Sequence, residues 1–357
     1  MSENHPEISE YRNFNHKKIL FSAVCIAVCI ITLGVGVVSG KYNIGFFECY
    51  EVLWNHITGN VATDSVSQMK DYVIWDLRLP ISLAGLFVGA GLGVAGAVMQ
   101  SSMKNPLADP YTTGISSGAS LGATLAIIAG ITIIPGLGST TRTVVNAFLF
   151  SLIPAFAMIV ISSMKRSISP AMMILIGVAV MYMFSATDTL LKVTATEEKL
   201  AEAYIWGIGT LGRANWDNIP LIAAASILGV SFFTVCSKIL NVLALGDNGV
   251  KALGENPKTM RLMFMIVVSM MTATFVCFTG TIGFVGLVAP HIVRMILGSD
   301  NRYLIPASAC FGAAFLMAAD CLARELTASG LPVGVITSLI GGPLFLFILI
   351  KLRKNSW

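Results

Sequence analysis

GLFVGAGLGVAGAVMQ, Gly85 to Gln100, carries no charge and no polar side chain before its last position. A helix that is apolar all round has no face for water and belongs in a large core or in a membrane. Gly85, Gly89, Gly93 and Ala97 recur every four residues, which puts them on one helix face. Small residues in that arrangement let a neighbouring backbone approach closely. The run widens to 80–101, and at about 1.5 Å per residue that is enough to cross ~30 Å of hydrocarbon.

The rest of the chain points the same way. Its 357 residues are 55% apolar and 12% charged, where an ordinary soluble domain carries about 25% charged residues. Nine further runs could span a bilayer, at 19–38, 112–134, 144–163, 171–191, 219–240, 261–280, 282–298, 304–323 and 332–351. The sixth and seventh of these nearly touch, so Gly280–Gly283 is expected to form a tight turn. The run from 282 holds Ala289-Pro290-His291, which predicts a kinked or broken helix. The expectation is an all-α polytopic membrane protein with about ten transmembrane helices. Polar loops at 41–78 and 192–218 are too short to be soluble domains. Residues 19–352 therefore read as one membrane domain between polar tails, 1–18 and 353–357. The first tail leads into a spanning run with no small-residue cleavage site, so it reads as a tail and first anchor rather than a signal peptide.

Lys and Arg set the expected orientation. With the N-terminus inside, Lys41, Lys70, Arg78, Arg142, Lys192, Lys199, Arg213 and Arg324 fall outside, and the other fifteen of the 23 fall inside. Both termini are therefore expected on the cytoplasmic side of a cell membrane.

Several function classes lose their footing. There is no GxxxxGK[ST] loop for a nucleotide and no HExxH for a metal, and no basic stripe with interleaved aromatics for nucleic acid. The seven cysteines contain no CxxC pair and sit mostly in or beside apolar runs, as packing residues do. No cofactor is expected. Ionisable residues within spans are few: Asp188, His291, Asp320 and the pair Arg324–Glu325. They lie near span ends, not in the mid-depth cluster that an ion-driven carrier or an intramembrane enzyme would want.

Two polar stretches stand out on the expected inner face. In Asn105-Pro106-Leu107-Ala108-Asp109-Pro110 the prolines break the helix, and Asp109-Pro110 reads as the cap and first turn of the third span. LALGDNGVKALGENP, Leu243 to Pro257, predicts a short helix over about 248–253 capped by Asp247. Gly254 is its left-handed terminator, and Asn256-Pro257 opens the next span. Leu245, Val250 and Leu253 would form an apolar edge, which is natural for an element that inserts into a partner's groove.

RLPISLAGLFVGAGLGVAGAVMQSSMKNPLADPYTTGISSGASLGA, WGIGTLGRANW, and FTGTIGFVGLVAPHIVRMILGSDNRYLIPASACFGAAFLMAADCLAR with LPVGVITSLIGGPLF together resemble the FecCD-type permeases. These are the membrane subunits of ABC importers for iron-siderophore, haem and vitamin B12. The resemblance covers nearly all of 19–352 and implies the permease fold of the vitamin B12 importers. It also implies a homodimer, two ATP-binding cassette ATPase subunits on the cytoplasmic side and an external substrate-binding protein. Within it, 243–258 matches the coupling helices, so Leu245, Gly246, Asp247, Val250, Leu253 and Gly254 are the expected ATPase-coupling residues. Arg78 matches the first arginine of an RLPR docking motif whose second is replaced here by Ile81, and Arg324 matches another docking arginine. Asn105 and Leu107 match the cytoplasmic gate, and Ser169, before Pro170, falls near a second gating region. The implied function is import without covalent chemistry, most simply of a ferric siderophore or related chelate, with cobalamin or haem as the alternatives.

Overall fold

The computed structural model describes residues 6–60, 64–164, 168–327 and 330–352. Residues 1–5 and 353–357 of the two expected tails, with Lys165 and Arg166 of an expected inner loop, lie outside them. The described residues are helical almost throughout; the one sheet-like contact among them is an isolated bridge between Ile208 and Thr281.

The chain opens with α1 (Pro6–Val38), α2 (Phe46–Thr58) and α3 (Ser65–Tyr72). A π-helical segment (Val73–Arg78) then runs directly into α4 (Leu79–Met103). After a 3-10 turn (Pro110–Thr113) come α5 (Ile115–Ile127), α6 (Ser139–Ser163), α7 (Pro170–Val193) and α8 (Glu197–Gly207). Next are α9 (Ile219–Val235), α10 (Ser237–Leu245), α11 (Asp247–Ala252) and α12 (Pro257–Thr279). The chain closes with α13 (Val285–Leu297), α14 (Asn301–Leu326) and α15 (Val333–Leu352). Every apolar run read from the sequence holds a helix. Among the described residues, α1, α4 with its lead-in, α6, α7, α12 and α14 are each long and apolar enough to cross a membrane, and α9 with α10 passes as a bent pair. The apolar helices α5, α13 and α15 are shorter in their described extent.

α4 is the axis of the molecule, touching α14, α13, α12, α9 and α10. Its glycine face meets α14: a Cβ at Gly89 would lie 2.5 Å from the Gly312 carbonyl oxygen, and one at Gly93 would lie 2.3 Å from that of Ser308. Ala97 continues the stripe into a cluster with Val293, Leu297, Leu304 and Ala307. The small-residue face thus does what its spacing implies, and α14 is the partner.

Three expectations are corrected. First, of the kinked or broken helix expected at Ala289-Pro290-His291 the break is excluded, because α13 runs through it. Pro290 offers no N–H to the Gly286 carbonyl four residues earlier. That oxygen instead lies against Gly96 of α4, where a Cβ would come within 1.6 Å, as in the Cα–H···O contacts of close helix pairs. Second, the run 219–240 is not one helix. It bends by 60° at Cys236, because Leu240 and Leu243 are buried in the core and Asn241 bonds to the α13–α14 turn, drawing α10 across the end of the bundle. Third, the span expected at 112–134 is α-helical only from Ile115 to Ile127: the Pro110–Thr113 3-10 turn and Gly114, at φ +93°, hold back its start, and the chain leaves the helix before Gly130, at φ +68°. The Gly280–Gly283 seam is the expected sharp connection, with Gly280 at φ +73° and Phe284 at φ +69°.

Candidate coupling face

The end of the bundle carrying α11 is assembled from three chain segments. α4 stops at Lys104, which takes a left-handed conformation at φ 51°. The Asn105 side chain then folds back to accept the Leu107 N–H at 3.0 Å, and the Asn105 carbonyl accepts from Ala108 N–H at 3.1 Å. Asp109 caps the 3-10 turn, its Oδ1 accepting the Tyr111 N–H at 2.8 Å while Thr112 Oγ1 donates to its carbonyl at 2.7 Å. The cap therefore serves an intervening turn, not the third span directly. Burial pushes the Asp109 carboxyl up to about 6. Leu107 projects from this rigid corner and is exposed.

α11 is closed as its glycine predicts. Gly254 takes φ +80°. Its N–H donates to the Lys251 carbonyl at 3.0 Å, and the Glu255 N–H donates to that of Val250 at 3.2 Å. This pair of bonds ends helices where a left-handed residue follows them. Asn256 caps α12 by accepting the Lys258 N–H at 3.1 Å.

The other end of α11 departs from the expectation. Gly246, at φ +107°, occupies the capping position, and Asp247 is the first helical residue. The Asp247 carboxylate instead accepts from the guanidinium of Arg261, a residue fully buried one turn into α12. Arg261 Nε donates to the Ser102 carbonyl at 2.8 Å. One side chain thereby ties the end of α4, the start of α11 and the start of α12 together. The Lys104 amine also lies 3.1 Å from where a Cβ on Gly246 would be. The apolar edge is revised as well. Leu245 and Leu253 are 76% and 66% exposed, but Val250 is 0% exposed and packs in the core cluster with Leu240, Leu243 and Phe264. Val250 is turned into the core, while Leu245 at the end of α10 and Leu253 at the C-cap of α11 stay outside, so Val250 anchors α11 and does not extend the edge.

A polar chain fixes α10 from the other side. Ser101 Oγ donates to Asn301 Oδ1 at 2.8 Å, the Asn301 side-chain amide donates to Asn241 Oδ1 at 2.9 Å, and Asn241 donates to Asp300 at 2.8 Å. Hydrogen bonds from Arg302, then Asn241, hold the Asp300 carboxyl well below the usual carboxylate range.

The sequence reading missed Arg261 as a site residue. The available signal was an arginine set among apolar residues at the head of a span, where a charge needs a partner, with Asp247 in the loop just before it. Ser169 stands apart from this assembly. It is exposed and caps α7 by accepting the Met172 N–H at 3.2 Å. α7 meets the 3-10 turn further along, where a Cβ on Gly177 would lie 2.7 Å from the Thr113 backbone.

At the opposite end, Arg78, one of the two expected docking arginines, is turned inward. It is 4% exposed, donates to the Val38 carbonyl at 2.6 Å and to that of Tyr42, and leaves room for no side chain at Gly40. Its charge is spent on the backbone of the α1–α2 connection. Arg324 pairs with Asp320 at 2.6 Å and donates to the Ser39 carbonyl at 3.2 Å, leaving its side chain 18% exposed. Asp188 is likewise paired, with Lys192 at 2.7 Å, and accepts from Ser120. Among the described residues no three His, Cys, Asp or Glu side chains gather as metal ligands.

Residues 24–351 match the model of the FecCD transport family. The chain is 33% identical to the permease protein of a molybdate import system in Haemophilus influenzae, over 96% of this chain and 98% of that one. It is also 33% identical to the permease protein of an Fe(3+)-citrate import system in Bacillus subtilis, over 94% and 96%. An inward-facing structure reported as a metal-chelate type ABC transporter superposes with a TM-score of 0.79 at 28% identity, covering 94% of this chain and all of that one.

Proposed function

Because this chain belongs to the FecCD transport family, and is thus a non-catalytic, multi-pass permease subunit of an ABC importer, we propose that its cargo is a ferric siderophore or related metal chelate. The Fe(3+)-citrate relative and the metal-chelate structural match support that choice. The molybdate relative makes a small oxyanion the competing cargo. Competition between labelled ferric chelates and molybdate for the cognate external binding protein decides between them, and capture of molybdate alone would overturn the chelate reading.

In this proposal two copies of the chain form a pathway, two ATPase subunits dock on the α11 end, and the binding protein docks on the other. The observation that carries it is the α10–α11 tip. Leu245 and Leu253 stand exposed on a short helical unit that Arg261, Asn241 and Val250 lock to α4, α12 and α14. An apolar tip on a braced base transmits a push; on a loose loop it would absorb one. Asn105 and Leu107 follow α4 directly, so the same frame would move the gate, with Ser169 at the head of the neighbouring helix. Arg324, the less buried of the two expected docking arginines, is the one that would meet a binding protein. Replacing Leu253 with Glu should leave the chain inserted and dimeric but separate ATP hydrolysis from uptake in the reconstituted complex. Uptake per ATP equal to wild type would refute the coupling assignment.

A further inference from the structure

α2 has three faces. Cys49, Val52 and Leu53 pack against Val37 and Ile74, and Glu48, Glu51 and Asn55 form a polar arc on which Lys70 pairs with Glu48. The third face is apolar and largely exposed: Phe46, Phe47, Tyr50, Trp54 and Ile57 fall within about 100° of arc at helical spacing. Phe47 is 85% exposed, Trp54 66% and Ile57 67%. A short helix with such a stripe, facing water, would be a standing liability.

The direction of this face is fixed by Tyr50, which lies in the middle of the stripe. Its hydroxyl lies against α1 at Gly34, where a Cβ would be 2.6 Å away. Gly34 is one turn inside the end of the apolar span Leu20–Val38. The stripe therefore turns back along α1 toward the depth at which Val35, Ile31 and Ile30 are themselves exposed. The polar arc points elsewhere, toward α3. Aromatic residues beside a span end are the composition of a membrane–water boundary, and a helix with one apolar and one polar face lies in that boundary plane.

We propose that α2 is an interfacial helix, its Phe47–Tyr50–Trp54–Ile57 face seated in the lipid leaflet that surrounds the far end of α1. The partner is a lipid surface, not a protein. Anchored there, α2 holds the connection that Arg78 and Arg324 grip at Val38, Ser39 and Tyr42 at a fixed depth in the membrane.

The test uses the full chain in vesicles containing lipid brominated on its acyl chains near the headgroup. The emission of Trp54 is isolated as the difference between wild type and W54F, a conservative change at an exposed site. The expected result is a blue-shifted difference spectrum quenched more strongly by the brominated lipid than by aqueous acrylamide. Stronger quenching by acrylamide would place the face in water and overturn the proposal. Protection from both quenchers would place it under protein, a second copy or an external partner, and would overturn it equally. As a second reading, F47D should release the helix from the lipid and make the remaining Trp54 emission accessible to acrylamide; an unchanged ratio of the two quenchers in F47D counts against the proposal.

Discussion

Arg261 offers the sharpest test of the braced tip. Replacing Asp247 with Ala leaves the guanidinium fully buried with the Ser102 carbonyl as its remaining partner. A hydrogen bond to a charged group contributes about 1.5–3 kcal/mol, and breaking a fully buried pair costs about 3–5 kcal/mol. Asp247 is 37% exposed in its side chain, and solvent screening of such a pair brings the expected loss down to about 2 kcal/mol. That corresponds to roughly a 30-fold shift toward the undocked form of α11. Hydrogen exchange of the reconstituted chain should report it directly. Amides of 247–254 should lose about that factor of protection, while those in the middle of α4 keep theirs. The double variant D247A/R261M removes the orphaned charge and should regain part of the loss. Unchanged exchange in D247A, or a double variant that exchanges as fast as D247A alone, would refute the idea that this pair locks the tip.

Other outcomes follow from the same geometry. Gly93→Leu should prevent the α4–α14 approach, costing at least about 1–3 kcal/mol in overpacking and read as lost monodisperse protein, whereas Gly85→Ala, whose Cβ would face the flexible Met317 side chain at 3.1 Å, should be mild. Gly254→Ala forces a side chain into the left-handed region and should cost about 1–2 kcal/mol, seen as fraying of α11 in exchange; unaltered protection would show that Gly254 does not set the end of α11. Asp109 lies in the connection between spans with its carboxyl raised to about 6, so its neutral form is favoured by folding. The resulting stability is present below about pH 4 and is lost as pH rises through 6. Asp109→Asn keeps the cap acceptor and should flatten that part of a melting-temperature profile, and a profile of unchanged slope would contradict it. Arg78→Ala should lower thermal stability by roughly 2 kcal/mol through two orphaned carbonyls. If it instead weakened only binding-protein affinity, the internal role given to Arg78 would fail.

The parts legible in sequence were those governed by local rules. Apolar length located the helices long enough to cross a membrane among the described residues, the four-residue spacing in α4 announced a close helix contact, and Gly254 and Asn256-Pro257 marked the end of one helix and the start of another. What stayed hidden depended on partners distant in the chain. Arg78 is the clearest case: an arginine at a span end reads as solvent-facing, and only the fold reveals the Val38 and Tyr42 carbonyls. Val250 was misplaced because an apolar residue beside two exposed leucines does not declare which side of a six-residue helix is the core. The loop at 41–78 concealed α2 and α3 for a related reason. Two apolar faces interrupted by Glu48, Glu51 and Asn55 lower the hydropathy of any long window, although each face is regular at helical spacing.

The bend at Cys236 makes α9 and α10 a bell crank. α10, nine residues long, is an arm of about 13 Å at ~1.5 Å per residue. With 60° between the two axes, about half of any displacement along α10 resolves along α9, by simple projection of helix axes, and the larger component acts across it. If ATPase subunits act on Leu245 as proposed, their push would arrive mainly as sideways thrust on the base of α9, whose neighbours are α4, α12 and α14. Straightening the elbow would turn the same push into a piston stroke along α9, so the angle sets the direction of the work and not only the path of the chain.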